Sequence, residues 1–155
     1  MSSAKPLDPE SGAVQGHLAI LQGIITRMAT NSANAKTWCV ALVSAIVVVA
    51  AEQRQPRLMV VCLLPVVLSL FLDAYYLGLE MQFRDRYVEF VRKLHSGEAR
   101  TEDLFVVGAR PEPVASLRET GKALRSLSIW PFYVLLALML ISYLLYLPRR
   151  VVTVG

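Results

Sequence analysis

Residues 58–79 form a run of 22 residues that carries one formal charge, Asp73, and no other stretch so narrows what the chain can fold into. Wound as an α-helix, such a run extends roughly 33 Å, the thickness of the hydrocarbon core of a bilayer. Pro65 lies inside it, which can kink a membrane helix without forbidding a crossing. Two further apolar runs, 37–51 and 129–147, are separated from it by charged sequence. A soluble helical bundle would spread its apolar residues at helical spacing along the whole chain, whereas here they are segregated. With 55% apolar residues and a mean hydropathy of +0.48, the chain is too apolar for an ordinary soluble domain of 155 residues. The expectation is an all-α integral membrane protein with three transmembrane helices.

The third run is 19 residues without a charge, bounded by Ser128 and by Pro148, Arg149 and Arg150. The first is only 15 residues, short for the bilayer core. The break that follows it, Glu52-Gln53-Arg54-Gln55-Pro56, cannot cross a membrane, so once the second run spans, the first must return to the same side. Local thinning of the bilayer or snorkelling of the flanking residues accommodates its short length. Lys and Arg set the orientation. Twelve of them lie before the first run or between the second and third, and four lie at the hairpin tip or after the third. This places the N-terminus and the connector in the cytosol, and the tip and the C-terminus outside. Tyr143 and Tyr146 then suit the outer interface, and Trp38, Trp130 and Tyr133 the inner one.

Residues 1–12 are polar, with Pro6 and Pro9, and read as a disordered cytosolic tail without a signal peptide or lipidation box, leaving the helices to anchor the chain. Before the first run, Val14, Leu18, Leu21, Ile25 and Met28 recur every three or four residues; after the second, Phe83, Tyr87, Phe90 and Leu94 do the same. Each membrane helix is therefore expected to continue into the cytosol, giving one helical hairpin over 13–95 with matched arms of about 58 Å. Asn31-Ser32-Ala33-Asn34 is its weak point, being poor in helix formers.

If Ala51 faces Leu58 across the tip, Asp73 faces Lys36 and Glu80 faces Ala29, near Arg27. A Lys36–Asp73 ion pair at the cytosolic membrane boundary would relieve the cost of an acid inside the span; a role in an ion path is the alternative. Thr37, Ala41 and Ala45 on the first run, with Ala74 and Gly78 on the second, have the small-residue spacing that permits close helix approach, within the hairpin or between protomers of a homo-oligomer. Cys39 and Cys62 lie at opposite depths of such a hairpin and read as small packing residues. His17 and His95 read as surface residues or a mildly pH-sensitive pair, too few for a metal site.

Residues 96–128 form the connector. Its Gly97, Gly108, Pro111 and Pro113 mark a loop, within which Leu104-Phe105-Val106-Val107 is an apolar patch that either tucks against the cytosolic helices or docks a partner. Residues 114–128 read as a basic amphipathic helix leading straight into the third span, with Arg118, Lys122 and Arg125 directed at anionic lipid headgroups. Nucleic acid is a weaker partner, since no stacking platform accompanies the charge. Residues 148–155 form a short outer tail. No phosphate loop, nucleophile motif or metal box is present, so neither enzymatic activity nor a cofactor is expected.

A two-span hairpin extended into the cytosol, with Phe71-Leu72-Asp73-Ala74-Tyr75-Tyr76 leading into Glu80 and Arg84, resembles the SLATT-type two-transmembrane effectors of bacterial conflict systems. The resemblance covers about half of the chain, residues 18–95, and leaves the third run unaccounted for. It implies an oligomeric membrane effector that permeabilises the inner membrane when a cytosolic sensor signals infection, as in anti-phage defence. The competing reading is a non-conducting scaffold or regulatory subunit that anchors or inhibits a soluble partner. Ser44 and Ser69 are the hydroxyls well inside the hairpin runs, too few to line an open hydrated lumen.

Overall fold

The computed structural model of the chain describes residues 7–106, 120–124 and 126–152. Helix α1 is Gly12–Glu52, helix α2 is Leu63–His95 and helix α3 is Trp130–Val152, and there is no strand among the described residues. A 3₁₀ segment, Pro56–Cys62, leads into α2, and a short 3₁₀ turn, Thr101–Asp103, follows it. At the usual rise, α1 is roughly 61 Å long, and α2 with its 3₁₀ lead-in is of similar length. The two pack against each other along the hairpin.

Helix α1 starts where Ser11 offers its hydroxyl to the Val14 N–H, 3.4 Å away, as an N-cap. One face of it is buried from end to end: Val14, His17, Leu21, Met28, Ser32, Ala35, Cys39, Val43 and Ala50. Their spacing of three, four or seven residues is that of a single helical stripe. The expected weak point at 31–34 does not interrupt the helix, because Ser32 lies on this buried stripe and is satisfied there. Of the sequence-predicted stalk stripe, Leu18 and Ile25 are half-buried, and on α2 Phe90 is buried with Phe83, Tyr87 and Leu94 half-buried beside it.

At the tip, Arg54 takes a left-handed conformation (φ 53°). Its N–H donates to the Ala51 carbonyl at 3.3 Å and the Gln55 N–H to the Ala50 carbonyl at 3.1 Å, the paired bonds that close a helix C-terminus. The far end of α2 closes in the same way on Gly97 (φ 71°), with Gly97 N–H to Leu94 at 3.2 Å and Glu98 N–H to Lys93 at 2.9 Å. Glycine suits this conformation; arginine at the tip does not.

The second arm is not the unbroken α-helix that matched arms would require. Pro65 lacks the N–H that would bond to Val61, and its ring crowds that carbonyl. The chain therefore runs as 3₁₀ up to Cys62, and Pro65 falls in the first turn of α2, where its missing donor is not needed.

Four boundaries also depart from the sequence reading. Residues 7–11 of the expected disordered tail are structured: the Leu7 N–H donates to the Ala99 carbonyl at 3.3 Å, and Asp8 and Pro9 accept bonds from Glu10 and Gln15. The basic helix expected over 114–128 does not run into the third run, because residues 120–124 end in a turn at Ser126–Ile129. There the Ser126 carbonyl accepts from Ile129 and Trp130, and its hydroxyl accepts from the Ser128 N–H. Helix α3 begins at Trp130 instead of Ile129, with Pro131 in its first turn, and it continues through Pro148 to Val152 instead of ending in a tail. Residues 1–6, 107–119, 125 and 153–155, to which the remainder of the tail, loop and connector expectations refer, lie outside the described residues.

Among the described residues two helices are long and apolar enough to cross a membrane: α1, and α2 taken together with its lead-in. Helix α3 is apolar over Trp130–Leu145, a shorter stretch than such a crossing requires by that measure, so the structure supports two candidate spans where the sequence suggested three. The apolar core gathers where the three helices meet, with Cys39, Val43, Ala50, Met59, Cys62, Ala74, Ala123, Ile129, Tyr133 and Leu136 buried together. Much of the remaining apolar surface is bare: Leu42, Val48, Leu64, Val67, Phe71, Leu135 and Leu145 are all exposed.

Candidate functional site

Asp73 is fully buried at the midpoint of the hairpin. Across from it, Ser32 and Lys36 stand one turn apart on α1, so both reach the same carboxylate. The Ser32 hydroxyl donates to Oδ1. Lys36 Nζ donates to Oδ1 at 2.8 Å and lies 2.8 Å from Oδ2, where it supplies charge without an aligned hydrogen bond. The Lys36 side chain keeps 22% of its surface exposed, so its stem runs from the buried acid toward the outside. The third helix brings the Tyr133 hydroxyl beside this acid; that hydroxyl and Asp73 Oδ2 are both buried, and neither has an aligned hydrogen-bond partner. Four residues from three helices thus form one polar cluster in otherwise apolar surroundings.

A carboxylate in such surroundings is costly unless its charge is matched and its oxygens are hydrogen-bonded; Lys36 supplies the charge and Ser32 a hydrogen bond. The cluster can do two things chemically: hold the helices in one register, and respond to a change that removes the charge of either partner. Among the described residues no group of three or more His, Cys, Asp or Glu could hold a metal ion.

The structure brings Lys36 and Asp73 together, and farther along the stalk Gln22 Nε2 reaches the Tyr87 hydroxyl at 3.3 Å in the same register. Glu80 is buried but takes its charge from Arg84 of its own helix, at 2.7 Å, instead of a residue near Ala29. The small-residue face divides. Ala74 and Gly78 are buried within the hairpin, whereas Thr37, Ala41 and Ala45 are exposed. Ala41 is two positions from both Cys39 and Val43, about 200° around the helix, so it points away from the buried stripe, as does Thr37 two positions from Ala35 and Cys39, whereas Ala45 borders a recess with Leu58 and Val61 of the second arm. The hairpin is instead closed by Ala35, Cys39 and Val43. Lys122 is exposed, and Arg118 and Arg125 lie outside the described residues. Cys39 and Cys62 are free and buried.

His17 is not a surface residue. It is 3% exposed and packs edge-on to Phe90, with ring centroids 4.5 Å apart. Burial pushes its imidazole below the usual histidine range, against the opposing influence of Asp103. His95 is exposed and forms no pair with it. Ser32 and Tyr133 are the members of the polar cluster that the sequence reading missed. Ser32 carried a signal, since it precedes Lys36 by four residues and so shares its face. Tyr133 carried none beyond a hydroxyl near the start of an apolar run. Comparison with protein-family models, curated proteins and solved structures gives no match for this chain.

Proposed function

We propose that this chain is a membrane-embedded effector whose stalk controls the state of its membrane half. The observation that carries the membrane reading is exposure. Only 22% of the most apolar stretch of α1 and 33% of that of α2 is buried, whereas the core helix of a soluble protein would hide most of such a stretch. Lipid is the medium that covers it. On this reading the shorter apolar stretch of α3, Trp130–Leu145, serves as a third crossing that local thinning of the bilayer accommodates, and the excess of Lys and Arg places the stalk and connector in the cytosol. Lys122 and its neighbours Arg118 and Arg125 then meet anionic headgroups.

The exposed Thr37 and Ala41 support a homo-oligomer, because small residues that the hairpin does not bury allow a second copy to approach closely. Permeabilisation on triggering by a cytosolic partner, the activity implied by the resemblance to SLATT-type effectors, follows if assembly through this face opens a path beside the Lys36–Asp73 cluster. The second reading, a non-conducting scaffold or regulatory subunit, is favoured by one specific observation: the recess of about 290 Å³ between the arms near the tip is lined by Ala45, Ile46, Val49, Leu58 and Val61, none of them polar, so it offers ions no hydrated path.

Forced clustering of the full chain in cells loaded with a membrane-potential dye separates the two. Depolarisation that a Thr37→Leu, Ala41→Leu variant abolishes supports the effector. Clustering that never depolarises the membrane removes that reading in favour of the scaffold.

A further inference from the structure

The start of the connector folds back onto the stalk and is held there by few bonds. Ala99 is buried, and its N–H donates to the Lys93 carbonyl at 3.1 Å. Asp103 accepts from the Arg100 N–H at 2.9 Å and from Lys93 Nζ at 3.2 Å. Beyond it, Phe105 takes a left-handed conformation (φ 62°), which a bulky residue seldom adopts unless something holds it. Its N–H donates to His17 Nδ1 at 3.0 Å, 88 positions away in the sequence.

A ring nitrogen that accepts a hydrogen bond carries no proton, so His17 is neutral, with its proton on Nε2. Adding a proton would turn Nδ1 into a donor facing another donor. We infer that His17 is a proton-operated latch: neutral, it holds the 99–106 segment on the stalk, and protonated, it releases that segment. Release also frees Phe105 from its left-handed conformation, so the strain works with the proton. The inference does not depend on whether the membrane half conducts.

The charged groups around the imidazole set the sign. Arg86, Glu89 and Lys93 of α2 and Glu102 and Asp103 of the 3₁₀ turn line the same cleft of about 380 Å³. Asp103 is held below the usual carboxylate range by the Arg100 N–H and then by Lys93, so it stays ionised while the histidine titrates. Its charge favours the imidazolium, but burial outweighs it. The docked form, desolvated by the segment, therefore binds a proton less readily than the released form. Docking is strongest at high pH and weakens as the pH falls through the histidine range, by up to about tenfold per pH unit, until the lowered docked value is reached.

The test uses the full chain in phosphatidylcholine–phosphatidylglycerol nanodiscs carrying His95→Gln, which leaves His17 as the sole imidazole of the two in the sequence. Amide hydrogen exchange of residues 101–106, corrected for intrinsic rates, and the imidazole resonances are followed together from high to low pH. Protection of the Phe105 amide should fall with the same midpoint as the imidazole titration. A His17→Gln variant, whose amide oxygen can accept without titrating, should keep its protection at all pH values. The latch is overturned if the imidazole titrates while the Phe105 amide is unchanged, or if the Gln variant loses protection with pH as the histidine form does. Should the Gln variant fail to dock at any pH, the shared midpoint in the His95→Gln protein still decides.

Discussion

Lys36 Nζ stands 2.8 Å from both carboxylate oxygens of Asp73, a group with no exposed surface. The two residues are 37 positions apart on opposite arms of the hairpin, so their contact fixes the register of everything between them and the tip.

Removing one partner should therefore cost more than removing both. Lys36→Met leaves a buried carboxylate without its countercharge and should destabilise the protein by about 3 kcal/mol or more, whereas Lys36→Met with Asp73→Leu should recover most of that loss. Thermal or denaturant unfolding in detergent across the double-mutant cycle measures the difference. Equal losses in the single and double variants would mean that the pair does not hold the arms together.

Tyr133 separates packing from hydrogen bonding. Its hydroxyl has no aligned partner, so Tyr133→Phe should alter stability by no more than ~1 kcal/mol, while Tyr133→Ala, which empties a buried site, should cost about 3 kcal/mol or more. A large loss in the Phe variant would reveal a bond from the hydroxyl to Asp73.

The tip offers a stabilising change. Arg54→Gly places the residue suited to φ 53° where arginine is strained, and the unfolding midpoint should rise by the equivalent of about 1 kcal/mol. An unchanged or lowered midpoint would show that the arginine side chain compensates for the strain.

For the outward row of α1, Thr37→Leu and Ala41→Leu should leave monomer stability within about 0.5 kcal/mol, because neither position is buried. The same changes should abolish self-association, as read by analytical ultracentrifugation in detergent, if that row is the contact between copies. Undiminished association would move the interface elsewhere.

The hairpin was legible in the sequence because two strong signals agreed: an apolar run with a short polar break before it, and three-and-four spacing that continued past the apolar limits on both arms. From the tip alone, Lys36 falls opposite Asp73. The side of α1 that turns inward was less legible, since within 37–51 nearly every residue is apolar and periodicity cannot pick a face; small size pointed to Thr37, Ala41 and Ala45, while Cys39 and Val43 are the residues enclosed. His17 was hidden for another reason. Its burial depends on Phe105, 88 positions away, folding back over the stalk, and nothing local to either residue announces that contact. The 3₁₀ lead-in could have been read from Pro65, whose ring acts on the turn before it and not on its own.

The buried stripe of α1 has a mechanical consequence. Val14 and His17 at one end and Cys39 and Val43 at the other lie on one unbroken 41-residue rod, with no hinge where the polar half meets the apolar half. A twist or tilt imposed near His17 meets no break in the helix before Ser32 and Lys36, so it bears on their contact with Asp73. The molecule is in this respect a lever, with the charged cluster as its fulcrum.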